Sequence, residues 1–385
     1  MNTALTEEQQ MIQETARQFA QNELLPNAAK LDQGDGQDIL LNNLKQLAEL
    51  GFMGLSINGE YGGTEAGSVA FSLAITEIAK GCASTAVTTS VTNMVAEVVQ
   101  AVGNEEQKQK YITKICSGEY PAAGFCLTEV EAGSDPAGMK TSAIKDGDEY
   151  ILNGSKMFIT SAEYAGVFVV WAVTDATAKK GKGISCFLVE NGTPGLIVGP
   201  AEHKMGQKAS ATNEVRFEDC RIPASALMGK ENDGFRVAVA ELAGGRIGIG
   251  SLALGIGLAA MDYARDYISQ RKQFDQELSK FQGLQWILAD RYTDLEAARL
   301  LLMNAACLKE QGQAFSKQAS MAKLFASEKA NIACYDALQM LGGYGYIKEY
   351  PLERLTRDVR ITSIYEGTSE IQRIVIAREL LKEIA

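Results

Sequence analysis

Ile361-Thr-Ser-Ile-Tyr-Glu366-Gly-Thr-Ser-Glu-Ile-Gln-Arg373 is the stretch on which the reading of this chain turns. Ile361, Thr362 and Ile364 are β-branched and stiff at χ1, which disfavours a helix interior. Gly367 supplies a permissive backbone position directly after Glu366. Ser369 and Gln372, three residues apart, have the pattern of a capping box, and Ile371, Ile374 and Leu381 follow at helical spacing. The run therefore reads as a loop that delivers Glu366 to the start of a terminal helix. A carboxylate held between Tyr365 and Gly367 can act as a base if its surroundings are dry. In water the same residues are an ordinary loop, and this run alone leaves both readings open.

Working outward, helical periodicity dominates from Gly234 to the end. Phe235–Ala264, Tyr267-Ile268, Leu284–Lys309 and Ser316–Leu341 read as long helices, enough for an antiparallel bundle. Before that, from Tyr120-Pro121, the period changes. Tyr150-Ile-Leu, Lys156–Thr160, Val167–Val173, Ile184–Glu190, Leu196–Val198 and Asn213–Phe217 are short, β-branched or aromatic, and parted by turn residues. They predict a small β-barrel or sandwich. Residues 1 to about 120 are helical again. Thr6 with Glu8 and Gln9 opens an amphipathic helix ending near Pro26, followed by Ile39–Gly51, Ser68–Ala79, Val91–Val102 and Glu105–Ser117. Tyr61-Gly-Gly63 is a turn, and Gly81–Ala86 is a run of small residues suited to close backbone approach. The expected fold is α+β and multidomain: an all-α N-terminal domain over 1–120, a β domain over 121–232 and a helical bundle over 233–385.

Composition narrows the function classes. The 385 residues carry 37 basic against 48 acidic side chains, a net charge of −11, with no Lys/Arg block. That disfavours nucleic acid or an anionic membrane as the main partner. Seven dispersed cysteines without C-x-x-C argue against a disulfide framework or zinc site and for a reducing compartment. His203 is the sole histidine, which removes most metal clusters and fits a turn better than a base. The start Met1–Glu8 lacks a basic, then apolar, signal pattern, and apolar stretches such as Val167–Val173 are too short to span a bilayer, so a cytoplasmic location is expected.

Two further stretches invite functional readings. Gly255-Ile-Gly-Leu-Ala-Ala260 imitates a dinucleotide fingerprint but sits inside a helical pattern with no preceding strand, so close helix packing explains it better. No Walker-type loop is present. Phe125–Gly138 is different: Thr128, Ser134, glycines and free N–H groups in one strand-to-loop unit suit a heterocycle edge and a pyrophosphate, or else a polar surface loop.

Cys126–Gly138 and Tyr365-Glu-Gly-Thr-Ser369 resemble the two signature stretches of the acyl-CoA dehydrogenase family. Gly154–Thr160, Arg271–Phe274, Gln339–Gly343 and Tyr350-Pro…Arg357-Asp358 extend the resemblance over essentially the whole chain, and Gly81-Cys-Ala-Ser-Thr and Gly245-Arg-Ile-Gly look most like its short-chain and short branched-chain members. The resemblance implies a C-terminal four-helix bundle, FAD as cofactor, a homotetramer whose subunits complete one another's FAD sites, and electron-transfer flavoprotein as acceptor. It implies that Glu366 takes the α-proton of an acyl thioester, with Arg246 nearby holding its charge state. Phe125, Leu127, Thr128, Phe158, Ile159 and Thr160 then match the segments around the isoalloxazine ring, and Ser134 a position at pyrophosphate and substrate. Arg271, Phe274, Gln282, Gln339, Gly342 and Gly343 match stretches reaching FAD phosphates and adenine across the subunit boundary. Thr368 and Glu370 fall in the last FAD-contacting run, while Gly245, Tyr365 and Gly367 are substrate positions. Isovaleryl-type and long-chain members carry the base where Gly245 stands. Ala243 replaces an aspartate common in short-chain relatives, and Phe158 replaces a frequent tryptophan. No metal is implied. A catalytically silent flavin- or acyl-CoA-binding scaffold and an oxygen-using acyl-CoA oxidase remain as alternatives, and the acyl group is not legible.

Overall fold

Thr6 starts the first helix, α1 (Glu7–Phe19), by a reciprocal cap: its hydroxyl accepts from the Gln9 N–H and the Gln9 side chain accepts from the Thr6 N–H, each at 3.1 Å. The computed structural model describes residues 4–33 and 36–384; Met1, Asn2 and Thr3, part of the chain start read above, lie outside them. Pro26 does not end the helical path. The winding tightens into a 3-10 turn over Leu25–Asn27, where the missing N–H costs nothing, and resumes over Ala28–Asp32. The helices α2 (Gln37–Glu49), α3 (Gly67–Gly81) and α4 (Ala83–Val102) follow. Gly81 is the joint between α3 and α4, where a Cβ would lie 2.8 Å from Leu24 Cβ and 2.9 Å from Ala20 O. Helix α4 starts at once after it, well before the Val91 expected.

Eight strands form the middle layer: β1 (Ala122–Cys126), β2 (Ser142–Asp146), β3 (Glu149–Thr160), β4 (Ala165–Val173), β5 (Ile184–Glu190), β6 (Leu196–Ala201), β7 (Thr212–Pro223) and β8 (Leu227–Met228). Their order is β6-β7-β3-β2-β4-β5-β8, with β1 parallel to β4. Strand β4 is covered on both faces. Val167, Val169 and Trp171 belong to one buried cluster together with Val95, Val98 and Val99 of α4, while Phe168, Val170 and Ala172 belong to another with Phe187, Val215 and Phe217 inside the domain. Its unbroken apolar run follows from that double burial. The two short runs at Tyr150 and Lys156 are one strand, β3, bulged against β7 between Lys156 and Ile159.

The C-terminal layer is α5 (Gly234–Gln270), α6 (Gln282–Glu310), α7 (Ser316–Leu341), α8 (Leu352–Arg360) and α9 (Ser369–Lys382). Helix α5 corrects one expectation: over 37 residues it is long and apolar enough to cross a membrane, yet most of its apolar window is buried inside the protein. Arg246 interrupts the run and hid its length. A Cβ at Gly255 would lie 2.2 Å from Thr76 O, and one at Gly257 2.9 Å from Leu295 Cδ2, so these glycines let α3 and α6 pack against α5, and no nucleotide loop exists there. Helix α8 has no counterpart in the sequence reading. Its buried Leu352, Leu355 and Val359 are outnumbered by charged and polar neighbours.

Candidate active site

Between α8 and α9 the chain makes one 3-10 turn, Ile361–Ser363, and then turns left-handed at two successive residues, Glu366 (φ +54°) and Gly367 (φ +87°). A left-handed non-glycine residue costs roughly 1–2 kcal/mol, so something must hold it. Gln372 Nε2 donates to the carbonyls of Glu366 (3.1 Å) and Gly367 (2.8 Å), and Lys323 Nζ donates to Gly367 O at 2.8 Å. A Cβ on residue 367 would meet Gln372 Nε2 at 2.8 Å, so glycine is needed there for space as well as conformation. The cap of α9 is Thr368 and not Ser369: Thr368 is extended (ψ 162°) and its Oγ1 accepts from the Ile371 N–H at 3.3 Å. Ser369 is already helical and buried, its hydroxyl unpartnered among the described residues, and Gln372 turns back to the loop instead of closing a box.

The Glu366 carboxylate lies against α5. A Cβ at Gly245 would fall 2.8 Å from Glu366 Oε2 and 2.7 Å from Met94 Sδ of α4. Oε2 is shut off from solvent and has no hydrogen-bond partner among the described residues. Burial pushes the carboxyl up to about 7, against the pull of Arg246 and Lys323. Arg246 is buried and donates Nη1 to Ser320 Oγ at 3.1 Å, while its Nε finds no partner among the described residues. Burial draws its pKa below the usual arginine value, with Glu366 opposing, and a guanidinium remains charged throughout. Lys323, fully buried, is brought down to about 8 by the same desolvation. Tyr365 is tied to the middle domain, its hydroxyl accepting from Gln207 Nε2 at 3.1 Å, and Asp358 takes the Gln207 backbone N–H.

A second group gathers on the β domain. Lys156, buried in β3, donates to Leu127 O (3.2 Å) and Glu129 Oε1 (2.8 Å), and the Met157 N–H donates to Thr128 O at 2.8 Å. Burial works against the Glu129 charge, but Lys156 and the N–H groups of Thr141 and Lys140 hold the carboxyl below its usual range. These bonds stitch the loop after β1 onto β3 and bring Thr128 alongside the bulge that carries Phe158. At the bulge Phe158 takes a left-handed backbone (φ +59°) that throws its ring outward, 62% exposed. Phe125, Thr128 and Thr160 are half-buried and Ser134 is exposed, whereas Leu127 and Ile159 point into the cores. Those two residues can offer a ligand only their backbone.

A third group lies at the far end of α5. Arg271, Gln339, Gly342 and Gly343 line one groove with Tyr267 and Tyr344, the Arg271 guanidinium standing 5.6 Å over the Tyr344 ring. Phe274 sits in the turn between the short strands Lys272–Gln273 and Gln276–Glu277, its ring 87% exposed and edge-on to Phe281. Gln282 begins α6. In the terminal run Thr368 is occupied as a cap and Glu370 is exposed. The sequence reading missed Lys323, Ser320 and Met94 around Glu366, and the Lys156–Glu129 pair under the β-domain loop. Only Lys156 carried a signal, a lysine inside an otherwise strand-like run.

Three family descriptions match the chain in order: the acyl-CoA dehydrogenase N-terminal domain over residues 6–119, the middle domain over 124–220 and the C-terminal domain over 232–381. The chain belongs to the acyl-CoA dehydrogenase family. This acyl-CoA dehydrogenase is 45% identical over 385 residues to the acryloyl-CoA reductase (NADH) of Anaerotignum propionicum, covering 99% of this chain and 96% of that one. It is 43% identical over 383 residues to the short-chain specific acyl-CoA dehydrogenase of Clostridium acetobutylicum, covering 99% and 100%. Among solved structures, a chain from the work on the electron transferring flavoprotein of Acidaminococcus fermentans superimposes with a TM-score of 0.96 at 43% identity, over 99% of this chain and 100% of that one. The three-domain architecture is that of the family, and the protein is an FAD-dependent oxidoreductase that dehydrogenates acyl-CoA thioesters.

Proposed function

We propose that Glu366 is the base that removes the α-proton of a short straight or short branched acyl-CoA, giving the trans-2-enoyl thioester. One observation carries this: Glu366 Oε2 is buried, without a hydrogen-bond partner among the described residues, on a strained left-handed residue. Strain and an unsatisfied buried carboxylate oxygen persist only where the surroundings enforce them, and both leave the oxygen ready for a proton. Arg246 and Lys323 limit how far burial raises the carboxyl, so it titrates near neutrality instead of staying protonated. FAD, when bound, supplies the acceptor for the β-hydrogen as hydride and passes the electrons on.

The β-domain group fits that cofactor. Phe158 presents an exposed ring face, Phe125 stands half-buried at the end of β1, and Thr128 and Thr160 are half-exposed donors. Arg271, Gln339, Gly342 and Gly343, gathered in one groove, suit phosphate and adenine, and Ser134 lies in the exposed loop after β1. Gly245, Arg246, Tyr365 and Gly367 surround Glu366 as substrate positions. Most of the exposed large apolar side chains, including Phe274, Trp286, Tyr335, Tyr346, Ile374 and Leu381, lie on the C-terminal helical layer, which supports a homotetramer assembled through it. Electron-transfer flavoprotein is the proposed acceptor and the cytoplasm the proposed compartment, in keeping with seven free cysteines. Domain limits near 120 and 232 follow the change from helix to strand and back. The likeness to an acryloyl-CoA reductase supports a second reading, net reduction of a 2-enoyl thioester, in which Glu366 returns the same proton.

The test is anaerobic flavin reduction by butyryl-CoA in Glu366→Gln. The variant should keep its yellow colour and lose at least about a thousandfold in rate, the scale of removing a general base. Reduction at the parent rate would remove Glu366 from the chemistry.

A further inference from the structure

Lys323 is a buried cation with no carboxylate bonded to it among the described residues. Its side chain is out of solvent, and its hydrogen bond goes to a neutral group, the Gly367 carbonyl, at 2.8 Å. Burying an ammonium is costly unless something nearby compensates for the lost hydration. Three residues earlier on α7, and so on the same face, Ser320 holds Arg246 of α5 at 3.1 Å. One face of α7 therefore anchors one cation and supplies another beside the Glu366 turn.

The charged groups around this point come from four elements. Arg246 projects from α5, Lys323 and Glu328 from α7, Glu366 beside the Tyr365 phenol from the loop, and Glu370 and Arg378 from α9. Glu328 is paired with Arg373 at 2.6 Å, and Glu370 lies at the surface. Two buried cations thus lie about one carboxylate, that of half-buried Glu366, whose Oε2 is shut off from solvent.

The geometry points to Lys323 as a positioning residue for Glu366: its hydrogen bond holds the left-handed Glu366–Gly367 turn, and its charge favours the ionised carboxylate that takes the proton. This rests on Glu366 being the base. The electrostatics run the same way, since Lys323 opposes the upward push of burial on the Glu366 carboxyl, and Glu366 in turn supports the charge of Lys323.

The experiment is the pH dependence of anaerobic flavin reduction by butyryl-CoA, read in the parent, Lys323→Met, Lys323→Gln and Lys323→Arg. Removing a cation near a carboxylate should move the acid limb to higher pH by about one unit in Lys323→Met. Lys323→Gln, which can still donate to Gly367 O, should show the same displacement, and Lys323→Arg should restore the parent position. An acid limb that stays in place in a neutral variant that folds and holds FAD overturns the proposal, as does an equal displacement in Lys323→Arg. If Lys323→Met fails to fold, Lys323→Gln carries the test alone. Glu366→Gln, run in parallel, separates the two claims. Its full activity sinks the base, whereas an unmoved limb with an inactive Glu366→Gln sinks only the lysine.

Discussion

Replacing Gly245 by alanine should slow the enzyme without weakening it. The added Cβ would fall 2.8 Å from Glu366 Oε2 and 2.7 Å from Met94 Sδ, where ordinary contacts begin near 3.4 Å, so the carboxylate must retreat by about 0.6 Å and the thioether by about 0.7 Å. Met94 ends in a flexible thioether and can yield at little cost. Glu366 Oε2 has no hydrogen bond among the described residues to resist displacement, so the carboxylate yields too. A misplacement of 1 Å at a reacting group can cost about a hundredfold, so 0.6 Å should cost on the order of tenfold, or about 1.4 kcal/mol of barrier. Stability should move the other way, because alanine exceeds glycine in helix propensity by about 1 kcal/mol, which offsets the crowding. Stopped-flow flavin reduction under anaerobic conditions and thermal unfolding of the holoenzyme measure the two effects. Gly244→Ala is the control: its Cβ would meet Lys309 Nζ at 3.1 Å and Glu97 Oε2 at 3.5 Å, away from the Glu366 contact, and should leave the rate unchanged. Parent-rate reduction in Gly245→Ala would refute the placement of the carboxylate against α5. A large fall in melting temperature would refute the claim that the crowding is absorbed by side-chain ends.

The acid limb of kcat/KM, which reports the free enzyme, should lie near pH 7: Glu366, raised to about 7 by burial, accepts a proton only when ionised, so dehydrogenation falls as pH drops through that value. A limb near pH 4 in the parent would mean that the carboxylate is wet. Thr368→Ala should destabilise the protein by about 1 kcal/mol in urea unfolding through loss of the α9 cap, and Ser369→Ala by clearly less; the reverse order would restore Ser369 as the cap. Lys156→Met, which leaves Glu129 buried without its partner at 2.8 Å, should cost about 3–5 kcal/mol and loosen FAD retention, whereas a Lys156→Met/Glu129→Met double variant should recover part of the loss. Equal losses in the single and double variants would show that the pair is not what holds the β1 loop.

The broad plan was legible because apolar periodicity reports which face an element buries. Helix α7 runs from Ser316 to Leu341 as its period implied, and the change to short β-branched runs after Tyr120 marked the middle layer. Failures came where local chemistry was degenerate. Thr368 and Ser369 are adjacent hydroxyls ahead of the same helix, and only backbone conformation decides which one caps it. Helix α8 carries Leu352, Leu355 and Val359 at i, i+3 and i+7, a narrow apolar stripe that is readable in principle, but over only nine mostly charged and polar residues it is short enough to pass for a surface loop. Of the site, Glu366 and Arg246 stood out through resemblance, but Lys323 did not: a lysine in a helix normally snorkels to water, and its burial depends on what α5 and the Glu366 loop place over it.

Helix α5 contains seven glycines, Gly234, Gly244, Gly245, Gly248, Gly250, Gly255 and Gly257. At nearly 1 kcal/mol each relative to alanine, they remove on the order of 6 kcal/mol of intrinsic helicity, so the segment has little tendency to be a helix by itself. It becomes one when α3, α4, α6 and α7 clasp it, which the same glycines permit by letting neighbouring backbones come close. Folding of the long central rod must then be a late, cooperative event. Gly245 and Arg246 would find their places only as the surrounding helices dock, and no isolated fragment of this chain should carry the proton-abstracting site ahead of the assembled fold. In pulse-labelling hydrogen exchange the amides of Arg246–Ala253 should gain protection together with the last phase and not before it.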